Sequence, residues 1–263
     1  MDFGLKGRVA LVAAASRGLG RAVAEELARE GVSLILCARG ERALKDTARE
    51  IKEKAKVLVL SVAGDVAVQE DVARIVERGL DRFGRIDILV TNAGGPPAGE
   101  FERLSREDWD AAIRLTLTSV LELTRAVLPG MKERRWGRIL NVTSIAVKQP
   151  VENLILSNSL RAAVTGFART LANEVAPYGI TVNNLLPGYT RTERVVELAK
   201  AMAERRGLSE REVQAEWEAQ IPMKRLGEPH EFAALAAFLA SERASYITGT
   251  SITVDGGWVR SLL

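Results

Sequence analysis

The sequence predicts an α/β chain built on one doubly wound, seven-stranded parallel sheet with helices on both faces. Three observations carry this. Short apolar runs alternate with longer stretches of helical periodicity. The runs are nearly continuous in apolar residues, as strands covered on both faces are. Clusters of small residues follow several runs, where the carboxyl ends of parallel strands would open a crevice.

In chain order the strand runs are residues 9–14, 33–38, 56–63, 86–92, 138–144, 181–186 and 251–254. Helical patterns lie between them at 20–30, 42–54, 68–83, 109–131, 159–175 and 229–241. Ser105-Arg106-Glu107-Asp108 supplies an N-cap ahead of Trp109. Right-handed crossovers between successive strands then place helices on both sides of the sheet. One segment breaks the rhythm. Between Gly188 and Met223 the chain leaves the sheet and carries two short charged helical patterns, 193–206 and 209–220. The second opens with the capping box Ser209-Glu210-Arg211-Glu212. An excursion at a strand's carboxyl end is where a lid over a crevice belongs, so a lid is expected at about residues 189–223.

Composition narrows the function classes. A chain of 263 residues, 47% of them hydrophobic, can bury one large core, so residues 1–263 are read as a single domain. No apolar stretch approaches the roughly 20 residues needed to span a bilayer, and no membrane association is expected. Met1-Asp2-Phe3-Gly4-Leu5-Lys6 lacks a charged-then-apolar signal pattern. A cytoplasmic protein is expected. The single cysteine, Cys37, sits in an apolar run and reads as a buried strand thiol. With one cysteine and one histidine (His230), no transition-metal site is expected. His230 falls at a helix start, in Gly227-Glu228-Pro229-His230-Glu231, and reads as structural. The net charge is +3. The densest basic cluster, Lys132, Arg134, Arg135 and Arg138, reads as a solvated turn before a strand, with no nucleic-acid partner.

The first strand runs into Ala13-Ala14-Ala15-Ser16-Arg17-Gly18-Leu19-Gly20. Small residues there let the backbone approach a pyrophosphate, and the next helix presents free N–H groups to it. Thr91-Asn92-Ala93-Gly94-Gly95 follows the fourth strand, Asn141-Val142-Thr143-Ser144 the fifth and Pro187-Gly188 the sixth. These segments converge on one crevice.

Taken with Ile247-Thr248-Gly249 and Val254-Asp255-Gly256-Gly257, these motifs match the short-chain dehydrogenase/reductase family in order and spacing. The chain resembles that family over nearly its whole length, and within it the 3-oxoacyl-[acyl-carrier-protein] reductases. The resemblance implies a Rossmann-type fold and a nicotinamide cofactor. The expected cofactor contacts are Ala14, Ser16, Arg17, Gly18, Leu19, Gly20, Arg39, Asp65, Val66, Asn92, Ala93, Gly94, Arg161, Pro187, Gly188, Thr190 and Thr192. Asp65 reads equally as a capping residue. The family's usual Thr-Gly opening of the turn is Ala13-Ala14 here, and alanine does not readily take a positive φ. Strand two ends at Cys37-Ala38-Arg39, with no acidic residue to accept from the ribose hydroxyls of NAD. Arg17 and Arg39 suit a 2′-phosphate, so NADP(H) is expected ahead of NAD(H).

The chemistry end departs from the pattern. In the family a tyrosine exchanges a proton, a lysine lowers its pKa, a serine polarises the carbonyl and an asparagine holds a relay water. Ser144 matches the serine. Alignment of Arg161-Ala162-Ala163-Val164-Thr165-Gly166 puts Arg161 on the lysine, Ser157 on the tyrosine and Thr116 on the asparagine. A serine hydroxyl is a far weaker acid than tyrosine, and arginine keeps its proton at neutral pH. Tyr189 is then the first substitute proton donor and Lys148 the second. Val195, Val196, Leu198, Met202 and Trp217 either face an apolar substrate or dock the lid, and Lys148, Arg191 and Lys224 are placed to attract an anionic tail. Tyr178, where relatives acting on acyl carriers often have a basic group, argues against that substrate.

Two functions follow. One is an NADP(H)-dependent oxidoreductase that reduces a small-molecule carbonyl, such as a 3-oxoacyl thioester, through an altered proton relay. The other is a catalytically silent NADP-binding sensor or scaffold. The resemblance also implies a homotetramer, pairing the 109–131 and 159–175 helices across one interface and the 229–241 helix with the last strand across the other.

Overall fold

A computed structural model describes residues 2–262. Its seven strands are β1 (Val9–Ala13), β2 (Ser33–Ala38), β3 (Val59–Ala63), β4 (Ile88–Thr91), β5 (Gly137–Val142), β6 (Ile180–Pro187) and β7 (Ser251–Val254). They form one sheet in the order β3-β2-β1-β4-β5-β6-β7, and every pairing is parallel. The helices are α1 (Gly18–Arg29), α2 (Glu41–Ala55), α3 (Gln69–Phe83), α4 (Arg106–Ile113), α5 (Ser119–Glu133), α6 (Ile155–Val175), α7 (Glu193–Arg206), α8 (Glu210–Gln220) and α9 (Pro229–Ala240). No helix among the described residues is long and apolar enough to cross a membrane.

Strand periodicity divides the core. In β1, Ala10 and Val12 pack with α1, α2 and α9 on one face, while Val9, Leu11 and Ala13 pack with α3, α5 and α6 on the other. That two-sided burial is why the runs are apolar throughout. A third cluster joins α7 and α8 to the sheet's end through Leu186, Trp217, Ile221 and Trp258. Strand order reverses between β1 and β4, which opens the crevice at their carboxyl ends.

A polar ladder crosses the sheet near that crevice. Thr91 Oγ1 donates to Asn141 Oδ1 at 2.8 Å, Asn141 Nδ2 to Asn184 Oδ1 at 3.1 Å, and Asn184 Nδ2 to Ser251 Oγ at 3.1 Å. Four adjacent strands, β4 to β7, are thereby linked by side chains that are buried on β4, β5 and β6 and partly buried on β7.

Several expected boundaries move, each for a local reason. The third strand begins at Val59 because Lys56, at φ 56°, ends α2 in the left-handed region. The expected 109–131 helix starts at Arg106, capped by the Ser105–Asp108 box, and is interrupted by a π-helical turn, Arg114–Thr118. The basic cluster is a turn before β5 with Arg135 exposed, but not all of it is solvated. Arg138 is only 1% exposed and donates to the carbonyls of Gly137, Gly179 and Ser241. Its guanidinium and that of Arg8 stack on Trp136, and Glu242 accepts from Arg8 and the Trp136 indole. Arg134 turns inward to Asp87 and the Ile86 carbonyl.

Asn141→Leu would leave the Thr91 hydroxyl and the Asn184 carbonyl without their partners. The expected loss is about 2–4 kcal/mol of unfolding free energy. Urea unfolding of the variant beside the wild type measures it, and an unchanged midpoint would remove the ladder's role.

Candidate active site

The turn after β1 is shaped by two backbone requirements. Ala14 lies at φ 50° and Gly18 at φ 56°. Ala14 thus takes the left-handed conformation that an alanine was expected to avoid. Gly20 has no room for a side chain, since a Cβ there would stand 2.4 Å from the Ala14 carbonyl oxygen. The N-cap of α1, Arg17, is extended and its side chain makes no capping hydrogen bond, so the first turn of α1 faces the crevice uncapped.

The crevice has a volume of about 430 Å³. Ala14, Arg17, Gly18, Leu19 and Arg39 form one end of it, Asn92, Ala93 and Gly94 its middle. Pro187, Gly188, Thr190 and Thr192 line the side of β6 and the chain beyond it. Ser16 is not part of the lining, and its carbonyl accepts from Thr47 Oγ1 at 3.0 Å, which pins the turn to α2. Asp65 and Val66 also lie outside the lining. The Asp65 carboxylate accepts from the Ala67 N–H at 3.0 Å as a local turn, and Val66 is in the core.

The other end holds the chemistry residues. Ser144 Oγ accepts from the Ala146 N–H at 3.1 Å, leaving its own proton free to point into the crevice. Ser157 and Arg161 are one turn apart on α6. Arg161 Nε donates to Ser157 Oγ at 3.2 Å, and Nη1 donates to the Val142 carbonyl at 2.8 Å. The side chain therefore spans from α6 to the end of β5. Burial first, and Arg194 second, hold its pKa down to about 10. It still carries its charge at neutral pH. Thr116 sits in the π-helical turn, 5% exposed, and its Oγ1 has no partner among the described residues. It is not among the residues that line the crevice.

Tyr189 lies at the junction of the crevice with a second cavity of about 600 Å³. Its ring stacks on Trp217 at 4.5 Å and meets Trp258 edge-on at 6.1 Å. Burial pushes its pKa up, away from neutral pH. Lys148 lines neither space, and His230 is exposed at the start of α9.

A family model described as enoyl-(acyl carrier protein) reductase matches residues 13–259. The chain is 37% identical over 253 residues to the 3-oxoacyl-[acyl-carrier-protein] reductase FabG of Vibrio cholerae, covering 96% of this chain and 98% of that one. It is 34% identical to the NADPH-dependent reductase BacG of Bacillus subtilis, covering 97% and 99%. Among solved structures, L-sorbose reductase from Gluconobacter frateurii, complexed with NADPH and L-sorbose, superposes with a TM-score of 0.95 at 37% identity over the whole of both chains. The chain belongs to the short-chain dehydrogenase/reductase family.

For a short-chain dehydrogenase/reductase, the α7–α8 excursion holds what sequence reasoning missed. Arg194, in the first turn of α7, donates from Nη2 to the Pro96 carbonyl at 3.1 Å and packs flat against Gly95. Its Nη1 stands 3.8 Å from Glu197, which is also 3.8 Å from Arg17 across the crevice mouth. A sequence signal for Arg194 existed. A cation in the first turn of a helix opposes the helix dipole, and such a breach of local preference often marks a site.

The second cavity is walled by Tyr189, Leu198, Met202, Trp217 and Trp258, with Arg103 and Arg205 at its outer end. Leu198, Met202 and Trp217 therefore stand where they were expected, and Val195 lines the crevice. Val196 instead points to solvent. The expected anion-attracting trio is not there. Arg191 is paired with Glu218 and Glu228, Lys224 donates to the Ala219 carbonyl, and neither they nor Lys148 reach a cavity wall.

Ala14→Gly relieves a left-handed alanine, worth about 1–2 kcal/mol, against the extra flexibility of glycine in the unfolded chain, about 0.5–1 kcal/mol. A net gain of about 0.5–1 kcal/mol is expected. Chemical unfolding tests this, and a loss of stability would contradict it.

Proposed function

We propose that this protein is an NADP(H)-dependent oxidoreductase that reduces a small-molecule carbonyl in the cytoplasm. The observation that carries the reading is the meeting of two sets of residues in one crevice. At one end the uncapped start of α1, with Gly18 in the wall, fits a pyrophosphate, and Arg17 and Arg39 fit a 2′-phosphate. At the other end Ser144 and Arg161 offer donors to a carbonyl oxygen. The NADPH-dependent relative BacG and the NADPH complex of the sorbose reductase support the same cofactor.

When bound, the reduced nicotinamide supplies a hydride to the carbonyl carbon, and a proton must reach the oxygen to complete the alcohol. Ser144 polarises the carbonyl through its free O–H. Arg161 stabilises the charge that develops on oxygen, in a place where burial strengthens the interaction. Ser157 Oγ accepts from Arg161, so its own O–H is free to hold a water, and that water passes the proton to the oxygen. Tyr189 is a weaker donor candidate, because its ring is fixed in the Trp217 stack and its pKa is raised. The excursion at 189–223 acts as a lid that excludes water.

NADPH oxidation against a carbonyl panel that includes 3-oxoacyl thioesters tests the reading. Turnover is expected with NADPH well above NADH. Arg161→Met should lower kcat/KM roughly 10²–10³-fold, as loss of an oxyanion donor does, while Tyr189→Phe changes it little. The Thr116→Asn/Ser157→Tyr/Arg161→Lys variant serves as a reference with the usual relay. NADPH binding without oxidation of any carbonyl would instead make the protein a cofactor sensor or scaffold.

We also propose a homotetramer. In the lone chain α6 exposes Ala162, Ala163 and Gly166, a flat strip suited to close helix packing, and Tyr246 ahead of β7 is fully exposed. Light scattering is expected to give the mass of four chains, and a monomer mass would reject the proposal.

A further inference from the structure

The charge at the inner end of the crevice has no counter-ion. Arg161 donates only to neutral oxygens, those of Ser157 and Val142, and no carboxylate among the described residues pairs with it. Arg194 stands close enough to repel it. Arg194 itself has a neutral carbonyl, that of Pro96, and a long contact to Glu197. Neither of the two acidic side chains of the crevice pairs with Arg161. Glu197 is shared with Arg17, and Glu193 stands beside Gly18. Two guanidinium groups thus face one space beside Ser144 with no anion between them.

We infer that Arg161 and Arg194 form an anion site that takes the carboxylate of the substrate, so that the favoured substrates are small free oxo acids rather than carrier-bound thioesters. A planar carboxylate can accept from two arginines at once, where a thioester offers no charge. The pyrophosphate of the cofactor has its own place at the start of α1, on another strand end. With the carboxylate fixed there, the neighbouring carbonyl falls within reach of Ser144, and the apolar remainder runs past Tyr189 and Leu198, which wall both spaces. A carboxylate held by Arg194 of α7 and Arg161 of α6 also ties the proposed lid to the floor. The substrate class rests on the reductase reading given above, whereas the anion site does not.

The test is binding of 2-oxohexanoate, 2-hexanone and inorganic phosphate to the NADP⁺-loaded protein, by calorimetry, since these pairs cannot react. The oxo acid is expected to bind at least tenfold tighter than the ketone. Arg194→Leu should weaken it roughly 10–100-fold, the worth of a charge-assisted pair, and leave 2-hexanone and NADP⁺ affinity unchanged. Arg194 is partly exposed on α7 and makes no core contact, so the variant should fold, and the unchanged NADP⁺ affinity verifies it. Equal binding of oxo acid and ketone would overturn the site. So would an Arg194→Leu effect on NADP⁺ in place of the oxo acid, which would make Arg194 a cofactor clamp. Tighter Arg194-dependent binding of phosphate than of the oxo acid would overturn the carboxylate assignment. If the oxo acid binds as expected but is not reduced with NADPH, the reductase reading fails and the anion site stands.

Discussion

A cation half-sunk at the carboxyl end of β5 governs the site. Arg161 reaches from α6 to the Val142 carbonyl and takes Ser157 with it, so helix, strand and hydroxyl form one unit. Removing a charge from water is costly unless something replaces the lost solvation. Two neutral oxygens replace part of it. What they leave unmet is a demand for negative charge, and that demand is directed into the crevice. The lowered pKa of the guanidinium is the same cost expressed as a proton affinity.

Replacing lysine and tyrosine by arginine and serine changes more than acidity. A lysine is a compact point charge that can be aimed by a flexible stem, whereas a guanidinium is planar and offers several donors in fixed directions. Lysine beside tyrosine stabilises a phenolate. Arginine beside serine cannot do this usefully, because serine is too weak an acid. The pair is better suited to holding an anion that arrives from outside. Ser144, unchanged from the family pattern and free to donate, keeps the means to polarise a carbonyl beside that anion.

The sequence revealed what local chemistry decides. The seven strand runs, the Ser105–Asp108 and Ser209–Glu212 boxes and the small-residue turns all act over a few residues. Misreadings arose where distant groups decide. Arg138 looks like a surface charge until three carbonyls and Trp136 close around it. Lys56 reads as strand until its left-handed backbone ends α2. Ala14 reads as an unlikely left-handed residue until the turn to α1, pressed by Gly20, requires it. The π-helical turn at Thr116 adds a residue to a helix whose period gave no warning.

Arg194 joins these themes. Its place in the first turn of α7 is poor for an isolated helix, and its packing against Gly95 depends on that position having no side chain. A residue that is locally unfavourable, contacts another loop through a neutral carbonyl, has only a 3.8 Å contact to Glu197 and faces a second cation gains little within the chain itself. Its favourable interaction comes when an anion enters. Because Arg194 belongs to the excursion and Arg161 to the sheet's scaffold, a bound anion draws the two together, so the uncompensated charge of the pair becomes a closing force.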